Sequence, residues 1–296
     1  MRNFVGILTV LAVVVTAMPA WSKQKPRVMV SIKPIHSLVV GLMEGVATPE
    51  LVVGGKNTPL DYALTTGQHK QLGDSDLVIW MGPELERFLT EPLKALQGKT
   101  AVMEMLANDN FKVLNSRRNV EERDPFLWLD VRNAEVFVDE LYNVIVSVDP
   151  DNAETYKKNR ERVKRQVSRL DREFEYGFRA IAGGYGWSYH DVQQYFEHSY
   201  ALRINGFLSK EPGGAADMAR LLNTRSAIID SGKTCLFTEA GLTREKLSFL
   251  VDGTQAVISE LDSFAVNFTP GPSLYEEMMR FNYQVIRDCF EKVRTD

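Results

Sequence analysis

The chain has 296 residues, of which 44% are hydrophobic and 25% charged, and its formal net charge is -4. This is ordinary globular composition, long enough for a sizeable core and for two domains. The charges are mixed without a long run of one sign, which argues against nucleic acid as a partner because no basic face is available for phosphates.

The N-terminus has the pattern of a secretory signal. Arg2 precedes an apolar segment over residues 4–15, and Ala20 and Ser22 offer small residues for cleavage after Pro19. A membrane anchor is the alternative, but the apolar segment is short for a spanning helix. No cysteine stands at the cleavage site, which argues against lipid attachment there. We therefore predict a signal peptide over residues 1–22 and an exported, soluble protein that is not an integral membrane protein.

The first half of the exported chain alternates between strand and helix patterns. Its apolar run at 76–81 is continuous, which is typical of parallel strands covered on both faces. Strands are predicted at 27–32, 51–53, 76–81 and 100–103, and helices at 34–45, around 69–72 and at 84–96. This alternation predicts an α/β lobe over residues 23–149.

A long helix is predicted next. Asp149 and Pro150 provide an N-cap followed by proline at the first helical position. Apolar residues then recur mostly at intervals of three, four or seven through a charged background. One helix over residues 150–182 would be roughly 45–50 Å long, enough to join two domains. The alternative is two helices broken near Ser168.

The second half, residues 183–296, alternates again. Strands are predicted at 186–190, 234–238 and 256–261, and helices at 192–200, 215–223, 244–251 and 273–293. The expected fold class is therefore α/β, with two lobes joined by one stiff helix and a ligand cleft between them.

Three polar side chains follow predicted strands of the second lobe: His190, Glu239 and Asp262. Strand ends in α/β folds point into ligand clefts. The alternative for Asp262 is a turn or N-cap carboxylate. Packing or surface roles are predicted for the other histidines, His36, His69 and His198. The chain has no G-x-S-x-G elbow, phosphate loop or two-histidine metal spacing, so no enzyme is predicted.

Only two cysteines remain after the signal, Cys235 and Cys289. An oxidising compartment favours a disulfide over two free thiols, although spacing alone does not prove the bridge. A reactive or metal-binding thiol is the alternative.

The segment Asp124 to Asp130 reads DPFLWLD, four large apolar residues between two aspartates. Taken alone, this pattern fits a buried strand as well as the wall of a binding site. The segment nevertheless belongs to a set that together resembles one family, the ZnuA-like (cluster A-I) zinc-uptake solute-binding proteins of bacterial ABC transporters. DPFLWLD resembles the family's DPHLWLD. The other segments of the set are SIKPIHSL at 31–38, DYAL at 61–64, DLVIWMGPELE at 76–86, YHD at 189–191, CLFTE at 235–239 and ELD at 260–262.

This resemblance implies two Rossmann-like lobes, a rigid linking helix, a periplasmic location and an ABC transporter permease as partner. It also implies a disulfide between Cys235 and Cys289, and a metal ion held between the lobes. In the family, three histidines and a carboxylate or water hold zinc, which favours imidazole nitrogen in a tetrahedral site.

Carried over position by position, this metal site is half missing. The first family histidine corresponds to Leu60 and the second to Phe126, whereas the third is present as His190 and the carboxylate as Asp262. Residues 107–123 contain no histidine, unlike the histidine-rich loop of many zinc members. Zinc normally needs three or four ligands. We therefore predict a degenerate site at which zinc is weakly bound or absent.

Three functional hypotheses remain open. The first is zinc-type transport with weak or altered metal binding through His190, Asp262 and Glu239 or water. The second is binding of a less polar, organic ligand in a cleft lined by Leu60, Phe126, Trp128 and His190. The third is a non-transporting scaffold that docks to a permease or envelope partner.

Overall fold

The computed structural model describes residues 25–117, 119–181, 185–209, 218–240, 242 and 244–294. The predicted signal peptide lies outside these residues. The first lobe contains a parallel four-stranded sheet in the order β2-β1-β3-β4. Its strands are β1 Val28–Val30, β2 Glu50–Leu51, β3 Leu77–Trp80 and β4 Ala101–Glu104. Every residue of β3 is buried, as its continuous apolar sequence predicts.

Helices flank this sheet: α1 Lys33–Leu42, α2 Thr66–Asp74, α3 Arg87–Lys94 and α4 Val131–Val148. The start of α2 is fixed by a capping box, in which the Thr65 hydroxyl accepts from the Gln68 N–H and the Gln68 side chain accepts from the Thr65 N–H. Helix α4 was not among the helices predicted from the sequence. Asp130, the last residue of DPFLWLD, caps α4 by accepting a hydrogen bond from the Arg132 N–H.

DPFLWLD is not a strand. Its centre forms one turn of 3-10 helix at Leu127–Leu129, and the side chains of Phe126 and of this turn are fully buried. The Asp124 side chain accepts from the Phe126 N–H at the other end of the segment. The segment is therefore a buried turn that leads into α4.

The second lobe contains another parallel four-stranded sheet, in the order β6-β5-β7-β8. Its strands are β5 Tyr185–His190, β6 Arg203–Ser209, β7 Cys235–Glu239 and β8 Val257–Leu261. Its helices are α6 Gln194–Tyr200, α7 Met218–Ser231, α8 Arg244–Val251 and α9 Leu274–Arg294. Strand β6 was not among the strands predicted from the sequence. Cys235 in β7 and Cys289 in α9 form a disulfide, which confirms the predicted pair.

One helix, α5 Ala153–Arg179, joins the lobes after a 3-10 turn at Pro150–Asn152. It continues through Ser168, so the alternative of two broken helices is wrong. Its buried side chains form a single stripe: Tyr156, Val163, Val167, Leu170, Phe174 and Phe178. At 27 residues the helix is about 40 Å long. In the described part of the chain, no helix is long and apolar enough to cross a membrane.

Candidate functional site

His190 lies at the carboxyl end of β5 and is 4% exposed. Its Nδ1 is 2.5 Å from the Glu239 carboxylate, at the end of the neighbouring strand β7. An ionised carboxylate only accepts hydrogen bonds, so the Nδ1–H of His190 faces Glu239. In a neutral imidazole held this way, the lone pair is on Nε2. Nε2 is buried and has no hydrogen-bond partner among the described residues. A carboxylate that orients a histidine in this way is the usual second partner of a metal-binding imidazole.

Like His190 Nε2, two further buried polar atoms have no hydrogen-bond partner among the described residues. They are the Thr238 hydroxyl, next to Glu239, and the side-chain oxygen of Gln193. The other end of the Gln193 amide donates to the Ser263 hydroxyl at 2.8 Å. The described end of the second-lobe sheet therefore contains buried hydrogen-bonding atoms without a partner among the described residues, of which His190 Nε2 is the one oriented by a neighbouring carboxylate.

Asp262 follows β8 and is also buried. One carboxylate oxygen accepts from the Val266 N–H at 2.7 Å and the other from the Asn267 N–H at 2.8 Å. Asp262 therefore organises its own loop, residues 262–268, in the manner of the turn carboxylate that the sequence left as an alternative.

Lys33, the first residue of α1, reaches this loop from the other lobe. Its ammonium donates to the carbonyl oxygens of Ala265 at 2.9 Å, Val266 at 3.2 Å and Phe268 at 3.2 Å. Burial lowers the pKa of Lys33, and the nearby charge of Asp262 opposes that shift. A cation of the protein itself thus lies beside the carboxylate that the resemblance assigns to a metal ion.

The two positions of the missing histidines are apolar in different settings. Phe126 is fully buried and lies edge-on to Trp128, with ring centroids 5.5 Å apart. Both rings contact Phe264 of the second lobe, at centroid distances of 5.9 Å and 5.8 Å. Leu60, on a 3-10 turn at Pro59–Asp61, is half-buried and packs against the same apolar core.

Hydrogen bonds between the lobes surround these rings. The Trp128 indole N–H donates to the Ser263 carbonyl oxygen at 2.9 Å, and the Tyr275 hydroxyl donates to the Trp128 carbonyl oxygen at 2.8 Å. The Tyr275 N–H in turn donates to the Ser37 hydroxyl at 3.0 Å. All four residues are buried, so these bonds fix the relative positions of the lobes without competition from bulk water.

A second connection joins the lobes where many zinc members carry a histidine-rich loop. Arg117 forms ion pairs with Asp191 and with Glu197, the latter at 2.7 Å. Burial disfavours the charge of Arg117, but the hydrogen bonds that its guanidinium donates to Glu197 and Asp191 outweigh burial and raise its pKa. The Tyr195 hydroxyl, also of the second lobe, accepts from the Leu114 N–H and donates to the Asp124 carbonyl oxygen. The segment around Arg117 is therefore a strap across the lobes.

The donor set of the candidate site does not fit tight zinc coordination. His190 Nε2 is one available ligand, Asp262 is bonded to its own loop, and the other two positions are hydrocarbon. Among the described residues, no group of three or more His, Cys, Asp or Glu side chains could hold a metal ion. Among the described side chains of the candidate site, His190 is the one that presents an oriented imidazole nitrogen without a hydrogen-bond partner.

The other histidines lie elsewhere. His36 is buried, with Nε2 3.1 Å from the Pro49 carbonyl oxygen, whereas His69 and His198 are exposed. Sequence reasoning identified the strand-end positions of His190, Glu239 and Asp262 but missed Lys33, Arg117 and Phe264. For Phe264 the sequence contains one signal, because Ser263 and Phe264 follow Asp262 at the positions where the resembled family has Pro-Leu.

Comparison with known proteins agrees with this fold. The family described as "Zinc-uptake complex component A periplasmic" (ZnuA) matches residues 28–289. The ZnuA high-affinity zinc uptake proteins of Brucella suis and Paracoccus denitrificans are 25% and 26% identical. These matches cover 91% and 92% of this chain, and 93% and 94% of the relatives.

Among solved structures, the periplasmic zinc-binding protein TroA from Treponema pallidum superposes with a TM-score of 0.78 at 20% identity. The superposition covers 90% of this chain and 99% of TroA, which confirms the predicted fold of two α/β lobes and a linking helix. The relatives are binding and uptake proteins by name, and the family's periplasmic description agrees with the predicted location. The chain belongs to the ZnuA family of periplasmic zinc-uptake proteins.

Proposed function

We propose that this periplasmic solute-binding protein serves a metal-type ABC transporter and binds zinc or a related ion only weakly, through His190. In this role it delivers its cargo to a membrane permease and catalyses no reaction. The observation that carries the proposal is the His190–Glu239 pair, which orients the imidazole and leaves its buried Nε2 without a hydrogen-bond partner among the described residues.

Weak binding follows from the rest of the site. With one free imidazole, a carboxylate already bonded to two backbone N–H groups and apolar side chains at positions 60 and 126, an ion would keep few protein ligands. It would also have to lose its hydration against hydrocarbon, which is costly. The buried ammonium of Lys33 beside Asp262 adds like-charge repulsion.

Titration of chelator-stripped protein with Zn²⁺ and Mn²⁺ by calorimetry tests this proposal. We expect wild-type zinc binding weaker than about 1 µM, because two of the four usual ligands are replaced. His190→Ala should abolish the remaining binding. Glu239→Gln should weaken it by about 10–100-fold, as loss of an orienting partner typically does.

His69→Ala is the matched control, since it removes an exposed histidine of the first lobe and should change nothing. Sub-micromolar, one-to-one zinc binding by the wild type that disappears in His190→Ala would contradict weak binding. Zinc binding that survives His190→Ala would show that His190 is not the ligand.

A scaffold without transport is the second candidate. It is favoured by the buried bonds between the lobes, among them Lys33 to the 262–268 loop and Trp128 to Ser263. An organic ligand between Phe126 and Trp128 has less support, because neither side chain has exposed surface to offer. Absence of binding to every ion tested, with no change in melting temperature, would favour the scaffold.

A further inference from the structure

Phe264 is placed where the two lobes meet. It is 8% exposed, and its ring contacts Phe126 and Trp128 of the first lobe at centroid distances of 5.9 Å and 5.8 Å. It lies two residues after Asp262, the carboxylate that the family uses for metal binding. Three rings from two lobes thus fill the space beside Asp262 with hydrocarbon.

We infer that Phe264 is a specificity-determining residue that, together with Phe126, lowers the affinity for a metal ion and holds the two lobes together. The inference rests on the proposed function, because it names which residues make metal binding weak. It also extends that function, because it predicts that restoring the missing histidines alone does not restore metal binding.

The distances explain why the histidines are not sufficient. A zinc–imidazole bond is about 2.0–2.1 Å long, and the ion needs two or three further ligands at similar distances. An ion bound to a histidine at position 126 on its Phe264 side would therefore lie within the 5.9 Å that now separates the two ring centroids. The phenyl ring would occupy positions that the further ligands need.

The loop that carries Phe264 is held on both sides, so the ring has no simple way to move aside. The carbonyl oxygen of Ser263 accepts from the Trp128 indole at 2.9 Å, and its hydroxyl accepts from Gln193 at 2.8 Å. On the other side, the Lys33 ammonium donates to the carbonyl oxygen of Ala265 at 2.9 Å. Because the residues on both sides of Phe264 are held by hydrogen bonds and the ring is closely packed, we expect the ring to keep one position.

Three variants and the wild type, each stripped with chelator and titrated with Zn²⁺ by calorimetry, test the inference. They are Leu60→His/Phe126→His, the same pair with Phe264→Leu, and Phe264→Leu alone. We expect the double variant to bind zinc within about tenfold of the wild type, and the triple variant to bind at least about 100-fold more tightly as ligand number rises. Phe264→Leu alone should bind zinc with nearly the wild-type affinity, since this substitution adds no metal ligand.

The outcomes separate this inference from the proposed function. Tight zinc binding by the wild type would overturn the proposed function itself. A wild type that binds weakly, with a double variant that already binds as tightly as the triple, would overturn only the role of Phe264. A triple variant that folds but still does not bind zinc more tightly than the wild type would also overturn the role of Phe264.

A second measurement does not depend on the stability of the histidine variants. Small-angle scattering of metal-free wild type and of Phe264→Leu compares the separation of the lobes in solution. We expect the radius of gyration of the wild type to be unchanged by excess zinc, and that of Phe264→Leu to be larger. An increase in compactness of the wild type on adding zinc would contradict a cleft held together by its own side chains.

Discussion

Single residues make up the candidate site, and only some of them could be identified from the sequence. The strand-end positions of His190, Glu239 and Asp262 follow from local pattern, because each comes directly after an apolar run. The His190–Glu239 bond and the contact of Phe264 with Phe126 do not follow, because they join residues distant in sequence. Which strand ends and loops meet depends on sheet order and lobe packing, which no local pattern contains.

Two single alanines have a left-handed backbone conformation, and substituting them by glycine measures how much that conformation costs in stability. Ala201, the C-cap of α6, has φ +52° and is exposed, whereas Ala265 has φ +56° and is fully buried. The left-handed region costs a non-glycine residue about 1–2 kcal/mol. We expect Ala201→Gly to raise the free energy of unfolding by about 1 kcal/mol, after the larger unfolded-state entropy of glycine is subtracted.

Ala265→Gly serves as the comparison for that variant. Its gain should be nearly cancelled, because removing a buried methyl group costs about 0.8 kcal/mol. Urea denaturation of both variants provides the measurement. A loss of stability in Ala201→Gly would mean that the left-handed conformation costs this position nothing.

At the scale of elements, helices and strands with strong periodicity were predicted correctly from the sequence, whereas short irregular segments were not. The stripe of α5 and the continuous apolar runs of β3 and β7 were identified from sequence, close to their observed bounds. By contrast, β6 alternates only weakly and includes Gly206, and DPFLWLD has the composition of a strand but forms a 3-10 turn. Its two aspartates explain the difference, because each accepts a nearby backbone N–H and so favours a turn.

The junction of β3 and α3 should give the protein a pH-dependent stability. Glu86 is fully buried there and accepts from the Met81 N–H at 2.8 Å and the Gly82 N–H at 3.0 Å. Burial raises the pKa of Glu86 from 4.5 to about 7, against the lowering effect of these backbone groups. Between these two values the unfolded chain loses the proton while the folded chain keeps it. The free energy of unfolding therefore falls as pH rises through this window, by about 3 kcal/mol in total.

Glu86→Gln should remove this dependence because the amide stays neutral. We expect the variant to match the wild type near pH 4.5 and to be more stable at pH 7.5 by up to about 3 kcal/mol. Urea denaturation across this pH range measures the difference. Glu91→Gln, at an exposed glutamate of α3 paired with Lys94, is the control and should show the wild-type profile. Parallel profiles for wild type and Glu86→Gln would rule out Glu86 as the source of the pH dependence.

For the whole molecule, the lobes share one core. A single cluster of buried apolar residues extends from β1 of the first lobe, along the buried stripe of α5, to α9 of the second. Phe174 of α5 stacks on Tyr283 of α9 with centroids 4.5 Å apart, and the strap at Arg117 joins the lobes from another side. Such continuity favours unfolding as one cooperative unit rather than lobe by lobe.

The disulfide offers a test of this cooperativity, because it lies in one lobe only. It links residues 54 apart in sequence, and closing a loop of this length stabilises the folded state by about 4 kcal/mol on the chain-entropy account. We expect Cys235→Ala/Cys289→Ala to lose about that much and, in calorimetry, to show one endotherm displaced as a whole to lower temperature. Both sulfurs are buried, so the double variant is a cleaner comparison than reduction of the native protein. If the endotherm instead splits, with one part remaining at the wild-type temperature, the first lobe unfolds independently and the shared core does not couple the two.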